Sequence, residues 1–330
     1  MMRTRELMNI QNTGHAGINA LFAKAHSADW DIERDLDWSL PVERDASLVS
    51  PQWGAFGNTA TFRSLPEEVQ SYVTRRGLGR VLNILQVGES VAQDVCAKIA
   101  LAVREEDYRN HAAAQAMDEA RHHLAYRRFI EKMDEEVEDI DLGTEMMFDS
   151  LLASDDPLVL ISTEQFFLES LAMNIFEGIH RHASNPLLRD LLGLVTRDES
   201  RHMGFGILYV AEWMRRHSLD ERIAFARRWL GQILMIVGDQ PGPLMLSRVV
   251  QRMHEAGFDR ADDVAPQMLA EQRAINAADM EEVTSGRKVP HLLKSARRAG
   301  LLTPEILEAL HLQGHPLIVA ALWQTEEQTA

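Results

Sequence analysis

Two segments eighty residues apart carry one signature, Asp118-Glu119-Ala120-Arg121-His122 and Asp198-Glu199-Ser200-Arg201-His202. In each, Glu and His stand three residues apart, so on a helix both side chains leave one face within reach of a single ion. The repeat extends upstream without a gap, with Glu89-Ser90 thirty residues before the first Glu-x-x-His and Glu169-Ser170 thirty before the second. That interval spans one helix, a turn and part of the next helix, so the pattern predicts four helices that each bring an acid to a common centre. A single Glu-x-x-His is commonplace on a solvated helix. Two copies, each with a partnered upstream Glu, select a dinuclear site instead.

The ligands expected on this basis are Glu89, Glu119, His122, Glu199 and His202, with one acid from the third helix. Oxygen-rich ligands with one imidazole per ion suit iron or manganese, as Fe/Fe or Mn/Fe. For the third helix the repeat selects Glu169. Its rival Glu164 lies five residues earlier, a shift of about 7.5 Å and about 140° on a straight helix that a π-bulge could absorb. Asp118 and Asp198 are placed to accept the free N–H of a metal-bound imidazole, and Arg121 and Arg201 to neutralise neighbouring acids. His123 points about 100° away from His122, and the repeat selects His122; His111, His180 and His182 lack a Glu partner at the right spacing and read as structural.

Tyr126 lies four residues past His122 on the metal-facing side, either as a redox residue or as a phenol that orients a carboxylate. The matching position in the second copy is Gly206, with Gly204 nearby, which reads as close helix packing or as space for dioxygen or substrate. Cys96, on the face of Glu89, reads as an inert buried thiol.

Composition supports an all-α chain. Only 6% of the 330 residues are aromatic, while good helix formers abound, and no alternating apolar and polar run is long enough for a sheet. The net charge of −16 opposes binding to nucleic acid or anionic lipid. One cysteine permits no intramolecular disulfide or cysteine zinc cage. The first ten residues lack the apolar centre of a signal peptide, and no stretch reaches the roughly 18 to 20 apolar residues that cross a bilayer. A cytoplasmic location is expected.

Breakers punctuate the chain into an irregular, short-helical wrap over 1–65, a bundle over 66–217 and a helical extension over 218–330. Bundle helices are predicted from Leu65-Pro66 to about Val103, from the turn at Arg104–Asp107 to about Met133, from Pro157 to about His182, and from Asn185-Pro186 towards Arg216. The acidic stretch Asp134–Asp141 reads as a solvated connector. Later helices are predicted over 218–238, 244–256, 264–278 and, opened by a Thr303 cap, 303–313.

The doubled Asp-Glu-x-Arg-His pattern resembles the ferritin-like di-iron oxygenase and radical-enzyme superfamily. Residues from about 28 to 215 are similar to the ribonucleotide reductase small subunit and the related ligand-binding oxidases. Trp30-Asp31, Asp35, Asp37, Gly88-Glu89 and Asp198–Met203 carry that similarity, and bacterial multicomponent monooxygenases share the motif. The resemblance implies a ferritin-like four-helix core with extra terminal helices. It also implies two Fe ions, or Mn/Fe, with dioxygen as co-substrate, a homodimer, and an electron-donor reductase or ferredoxin. Its usual spacing between the third and fourth helices falls on Glu164. The activity it implies is oxidation of an apolar or arylamine-type small molecule. Two alternatives stay open. One is a radical-generating subunit with Tyr126 as the radical site, passing a hole through Asp198 and Trp30 or Trp38. The other is ferritin-like iron storage, against which the extra helices speak.

Overall fold

The computed structural model describes residues 14–43, 47–134, 138–238, 243–285 and 289–323, among which no strand forms. Helix α1 (Ala16–Ser27) is capped by the His15 imidazole, which accepts from the Ile18 N–H, and α2 (Ala60–Arg63) is capped by the Thr59 hydroxyl. Helix α3 (Glu67–Ala102) opens with Glu67 and Glu68, where negative charge meets the positive helix end. Helix α4 (Glu106–Met133) closes on Asp134 in the left-handed region, at φ 50°. These bounds agree with those read from the sequence.

The acidic stretch that follows α4 is more than a solvated connector. Asp141 accepts from the Thr144 N–H to cap α5 (Leu142–Leu152), a helix that the sequence reading omitted. Asp141 also pairs with Arg80 at 2.8 Å, and Glu138 approaches the same guanidinium at 3.6 Å. After α6 (Pro157–Ile161), capped by Asp156 with Pro157 in its first turn, the third bundle helix widens into a π-helical segment over Ser162–Leu168. It continues as α7 (Glu169–His182) and turns at Asn185, whose side chain accepts from the Leu188 N–H. Helix α8 (Pro186–Arg216) completes the bundle.

The chain divides into two compact units. One contains the described residues up to Leu48 with those of Arg76–Tyr209; the other contains Val49–Arg75 with the described residues from Val210 onward. In the first, Ile18, Val95, Ile99, Leu160, Ile161 and Phe205 form a continuous apolar core between the helices. In the second, the later helices are α9 (Leu219–Gly238), α10 (Pro243–Glu255), α11 (Ala261–Thr284), α12 (His291–Arg298), α13 (Pro304–Ala309) and α14 (Pro316–Trp323). Phe56, Phe62, Val69, Met253 and Met268 form its core, and Glu271 of α11 accepts from both the N–H and the hydroxyl of Thr61 at 2.9 Å. Helix α11 runs beyond its expected bounds at both ends, whereas α13 stops at Ala309. Thr303 stands at the start of α13, but its side chain makes no capping hydrogen bond. The predicted break at Pro241-Gly242 lies outside the described residues. Among the described residues, no helix is long and apolar enough to cross a membrane.

Candidate metal centre

The first unit gathers the repeated acids and imidazoles at one point. Glu89 comes from α3, Glu119 and His122 from α4, Glu169 from α7, and Glu199 and His202 from α8. All six are buried. Their donor atoms form two quartets, Glu89, Glu119, His122 and Glu199, and Glu119, Glu169, Glu199 and His202, each with all atoms within 4.8 Å of one another. Glu119 and Glu199 belong to both, and Glu89 and Glu169 to one each. Residues eighty apart therefore occupy equivalent places.

Each imidazole presents Nδ1 to the acids. His122 Nδ1 lies 3.5 Å from Glu89, 3.3 Å from Glu119 and 3.0 Å from Glu199. His202 Nδ1 lies 3.1 Å from Glu119, 3.6 Å from Glu169 and 2.7 Å from Glu199.

The opposite nitrogens meet aspartates, and the pairing is crossed. His122 Nε2 is 3.2 Å from Asp198, and His202 Nε2 is 3.1 Å from Asp118. Each Asp thus holds the ring on the other motif's helix and directs Nδ1 at the acids. Arg121 and Arg201 lie across both aspartates: Arg121 pairs with Asp118 and stands 3.1 Å from Asp198, and Arg201 is 3.1 Å from Asp118 and 2.8 Å from Asp198. Burial alone would raise the two aspartic acids, but the imidazoles they hold pull both below the ordinary range.

Two groups that the repeat does not select complete the arrangement. Gln115, one turn before Glu119, donates to Glu119 at 2.8 Å and to Glu169 at 3.4 Å. Its only sequence signal is its place four residues before Glu119, and its counterpart at the same offset is Val195. Trp30 donates its indole N–H to Asp198 at 2.7 Å and stacks on His122, with centroids 6.2 Å apart. Trp38 instead donates to the Ile32 carbonyl.

The third-helix acids separate in space. Glu169 joins the His202 quartet. Glu164, on the π-helical segment, stays outside both quartets and lines an adjoining cavity with one carboxylate oxygen unpartnered. Burial, followed by the charges of Glu119 and Glu199, pushes the Glu164 carboxyl up to about 8. Gly206 resolves as a packing residue. A Cβ there would fall 2.4 Å from the Gln165 carbonyl carbon and 2.5 Å from the Phe166 nitrogen, so the bare glycine lets α8 lie against the π-helical backbone.

Tyr126 is fully buried, with no hydrogen-bond partner on its hydroxyl, and burial raises its pKa well above the ordinary value. It therefore does not orient a carboxylate by hydrogen bonding. Cys96 is buried, raised by burial, and receives a contact from Gln165 at 3.5 Å. Of the other histidines, His111 stacks on Phe205 and is held neutral by burial, its pKa lowered to about 3, while His123 turns away to the Gln86 carbonyl.

The donor set fits a pair of cations. Burial, then the charge of Glu199, pushes Glu89 and Glu169 upward, and in both imidazoles the surrounding carboxylates outweigh burial and push the pKa well up. Without ions, the crowded negative charge makes these groups hold protons more tightly than free side chains do. Two divalent ions would offset that charge while satisfying Glu119 Oε2 and His122 Nδ1, which are buried without hydrogen-bond partners.

Residues 11–285 match the model of the P-aminobenzoate N-oxygenase AurF family.

The chain belongs to that family. Like the rest of the AurF family, it is an oxidoreductase of the dinuclear-metal oxidase and oxygenase class. Solved structures agree on the ferritin-like fold. An R2-like ligand-binding oxidase from Sulfolobus acidocaldarius is 16% identical over 74% of this chain and 90% of its own, with a TM-score of 0.50. The dimanganese(II) NrdF of Streptococcus sanguinis is 11% identical over 98% of this chain and 99% of its own, also with a TM-score of 0.50. No curated protein matches the sequence.

Proposed function

We propose that the chain is an oxygenase that binds two iron ions, or one manganese and one iron, and uses dioxygen to oxidise an apolar or arylamine-type small molecule. Glu89, Glu119 and His122 would hold one ion, Glu169, Glu199 and His202 the other, with Glu119 and Glu199 shared. The observation that carries this reading is the crossed pair of imidazoles, each facing three buried acids through Nδ1 and tied at Nε2 to an Asp.

When bound, the ions supply the electrons that reduce dioxygen and the oxidising power delivered to substrate. The protein's own residues fix the rest. Asp118 and Asp198 keep the imidazoles in the tautomer that leaves Nδ1 free to ligate. Gln115 bridges Glu119 and Glu169 by donating to both from one amide nitrogen. The apolar helices keep bulk water from the buried acids. A reductase or ferredoxin would supply electrons, a cytoplasmic homodimer is the expected working form, and the p-aminobenzoate in the family's name makes N-oxygenation the first reaction to assay.

The deciding test is anaerobic reconstitution with ferrous salt, followed by elemental analysis and exposure to air with an arylamine. About two metal ions per chain and an oxygenated amine are expected. Less than one ion per chain would end this reading, and loading far above two would favour storage.

One observation favours a second reading, a radical-generating protein. Trp30, Asp198 and His122 form an unbroken line of hydrogen bonds to the centre, and Tyr126 is sealed and unpartnered beside it. A tyrosyl electron paramagnetic resonance signal that persists without substrate and disappears in Tyr126→Phe would establish it. Its absence leaves Trp30 and Asp198 as a path for incoming electrons.

A further inference from the structure

The cavity beside the centre encloses about 230 Å³. An apolar cavity of about 150 Å³ holds benzene, so this one has room for a single substituted ring. Its inner end reaches Glu89, Glu164, Glu169 and Glu199; its walls include Leu85, Ala92, Leu168, Ala172, Ile175 and Phe176; and Thr144, Met147 and Phe148 of α5 contribute a further side. Every charged group among the described lining residues is a carboxylate. Thr144, the one neutral polar side chain there, donates its hydroxyl to Asp141 at 3.2 Å. Among the described residues, Arg80 and Lys98 at the ends of α5 are already engaged: Arg80 pairs with Asp141 at 2.8 Å, and Lys98 with Asp155 at 3.0 Å and the Leu152 carbonyl at 2.6 Å.

The family takes its name from an anion. A benzoate carboxylate in an apolar pocket needs a cation or several N–H donors, because an unpaired buried charge is strongly disfavoured. The inner end gives none, since the four acids of the two quartets already balance the charge of two divalent ions, and Glu164 adds a fifth acid. The exposed face of α5 offers no cation either: Leu142, Met146 and Met147 are 69%, 63% and 38% exposed, and Glu145 in the first turn is acidic.

We propose that this cavity takes a neutral, single-ring or similarly sized apolar substrate without a carboxylate, and discriminates against p-aminobenzoate. This deepens the oxygenase reading and rests on it for the identity of the centre. Recognition is by shape and apolar contact, with α5 providing an apolar approach. The amine or C–H group of the ligand would face the acids, and the remainder of the ring would lie among Leu85, Ala172 and Phe176.

The test is calorimetric titration of 4-methylaniline and 4-aminobenzoate, near pH 7, into metal-loaded and metal-free protein, with a competition assay in which both amines are offered together and products are separated by mass. The neutral amine should bind on the order of 100-fold more tightly and dominate the product. Ile175→Arg, which adds a cation to a half-buried wall position from which a long side chain reaches water, should raise 4-aminobenzoate affinity at least about tenfold. Equal or tighter binding of 4-aminobenzoate by the unaltered protein, or no binding of either amine, overturns the proposal. So does an Ile175→Arg variant that loads metal normally yet gains nothing for the anion. Preference for the neutral amine in protein that fails to load metal would support the cavity's selectivity and count only against the oxygenase reading.

Discussion

The two sides of the imidazole pair are built on opposite principles. On the Nε2 side, Asp118, Asp198, Arg121, Arg201 and Trp30 form a network in which charges of both signs alternate. On the Nδ1 side, acids crowd together beside a cavity, and Glu164, Tyr126 and Glu119 each leave an oxygen without a partner. A network that pairs opposite charges fixes positions, whereas a cluster of like charges stores binding energy for whatever cation arrives. The rigid side pre-orients the rings, so that the strained side has one favourable way to discharge its repulsion.

The largest effect should come from the strained side. Glu119→Ala removes a donor shared by both quartets, and elemental analysis should show that most bound metal is lost; full retention would place the ions elsewhere. On the rigid side, Asp198→Asn leaves the acids intact but loosens His122, and metal affinity should fall about 10- to 100-fold, measured by competition with a chelator. An equal loss from Asp118→Asn, acting through His202, would sharpen the symmetry of the crossed pairing.

Metal uptake should also depend on pH in a stated direction. His122, His202, Glu89 and Glu169 have raised pKa values in the metal-free protein, so they hold their protons more tightly than free side chains do, and ligation competes with those protons. Affinity should therefore rise with pH, and titrations in buffers of different ionisation enthalpy should report proton release. No release would mean that the acids are already ionised.

Smaller effects test the third helix. Gly206→Ala forces a Cβ into the backbone of Gln165 and Phe166 and should cost about 1–3 kcal/mol, read as a lower melting temperature. Glu169→Gln should reduce metal content, whereas Glu164→Gln should leave it nearly unchanged. The reverse outcome would move the ligand five residues upstream.

The all-α class, the bounds of α3, α4 and α8, and the grouping of acids eighty residues apart were legible because helical periodicity and a gap-free repeat are local properties. The crossed pairing was not. Spacing shows that an Asp can reach an imidazole, but which imidazole depends on how α4 and α8 face each other. Gln115 was invisible for a related reason, since Val195 occupies its place in the second copy and the repeat therefore passes over it. Helix α5 escaped because its outer face carries Leu142 and Met146 where polar residues normally announce an amphipathic helix. The choice between Glu164 and Glu169 turned on the widened turn, which no residue between Ser162 and Leu168 advertises.

That widened turn has an arithmetic consequence. A segment bonded five residues apart holds about one residue more per turn than its neighbours, so it absorbs one extra letter while the helix on either side keeps its phase. Deleting a single position from 162–168 would let the run close into an ordinary α-helix while the helices on either side stay nearly in phase with each other. Glu164 would then rotate off the cavity wall, and the backbone that Gly206 accommodates would withdraw. The length of this stretch, more than its lettering, keeps the chamber beside the ions open.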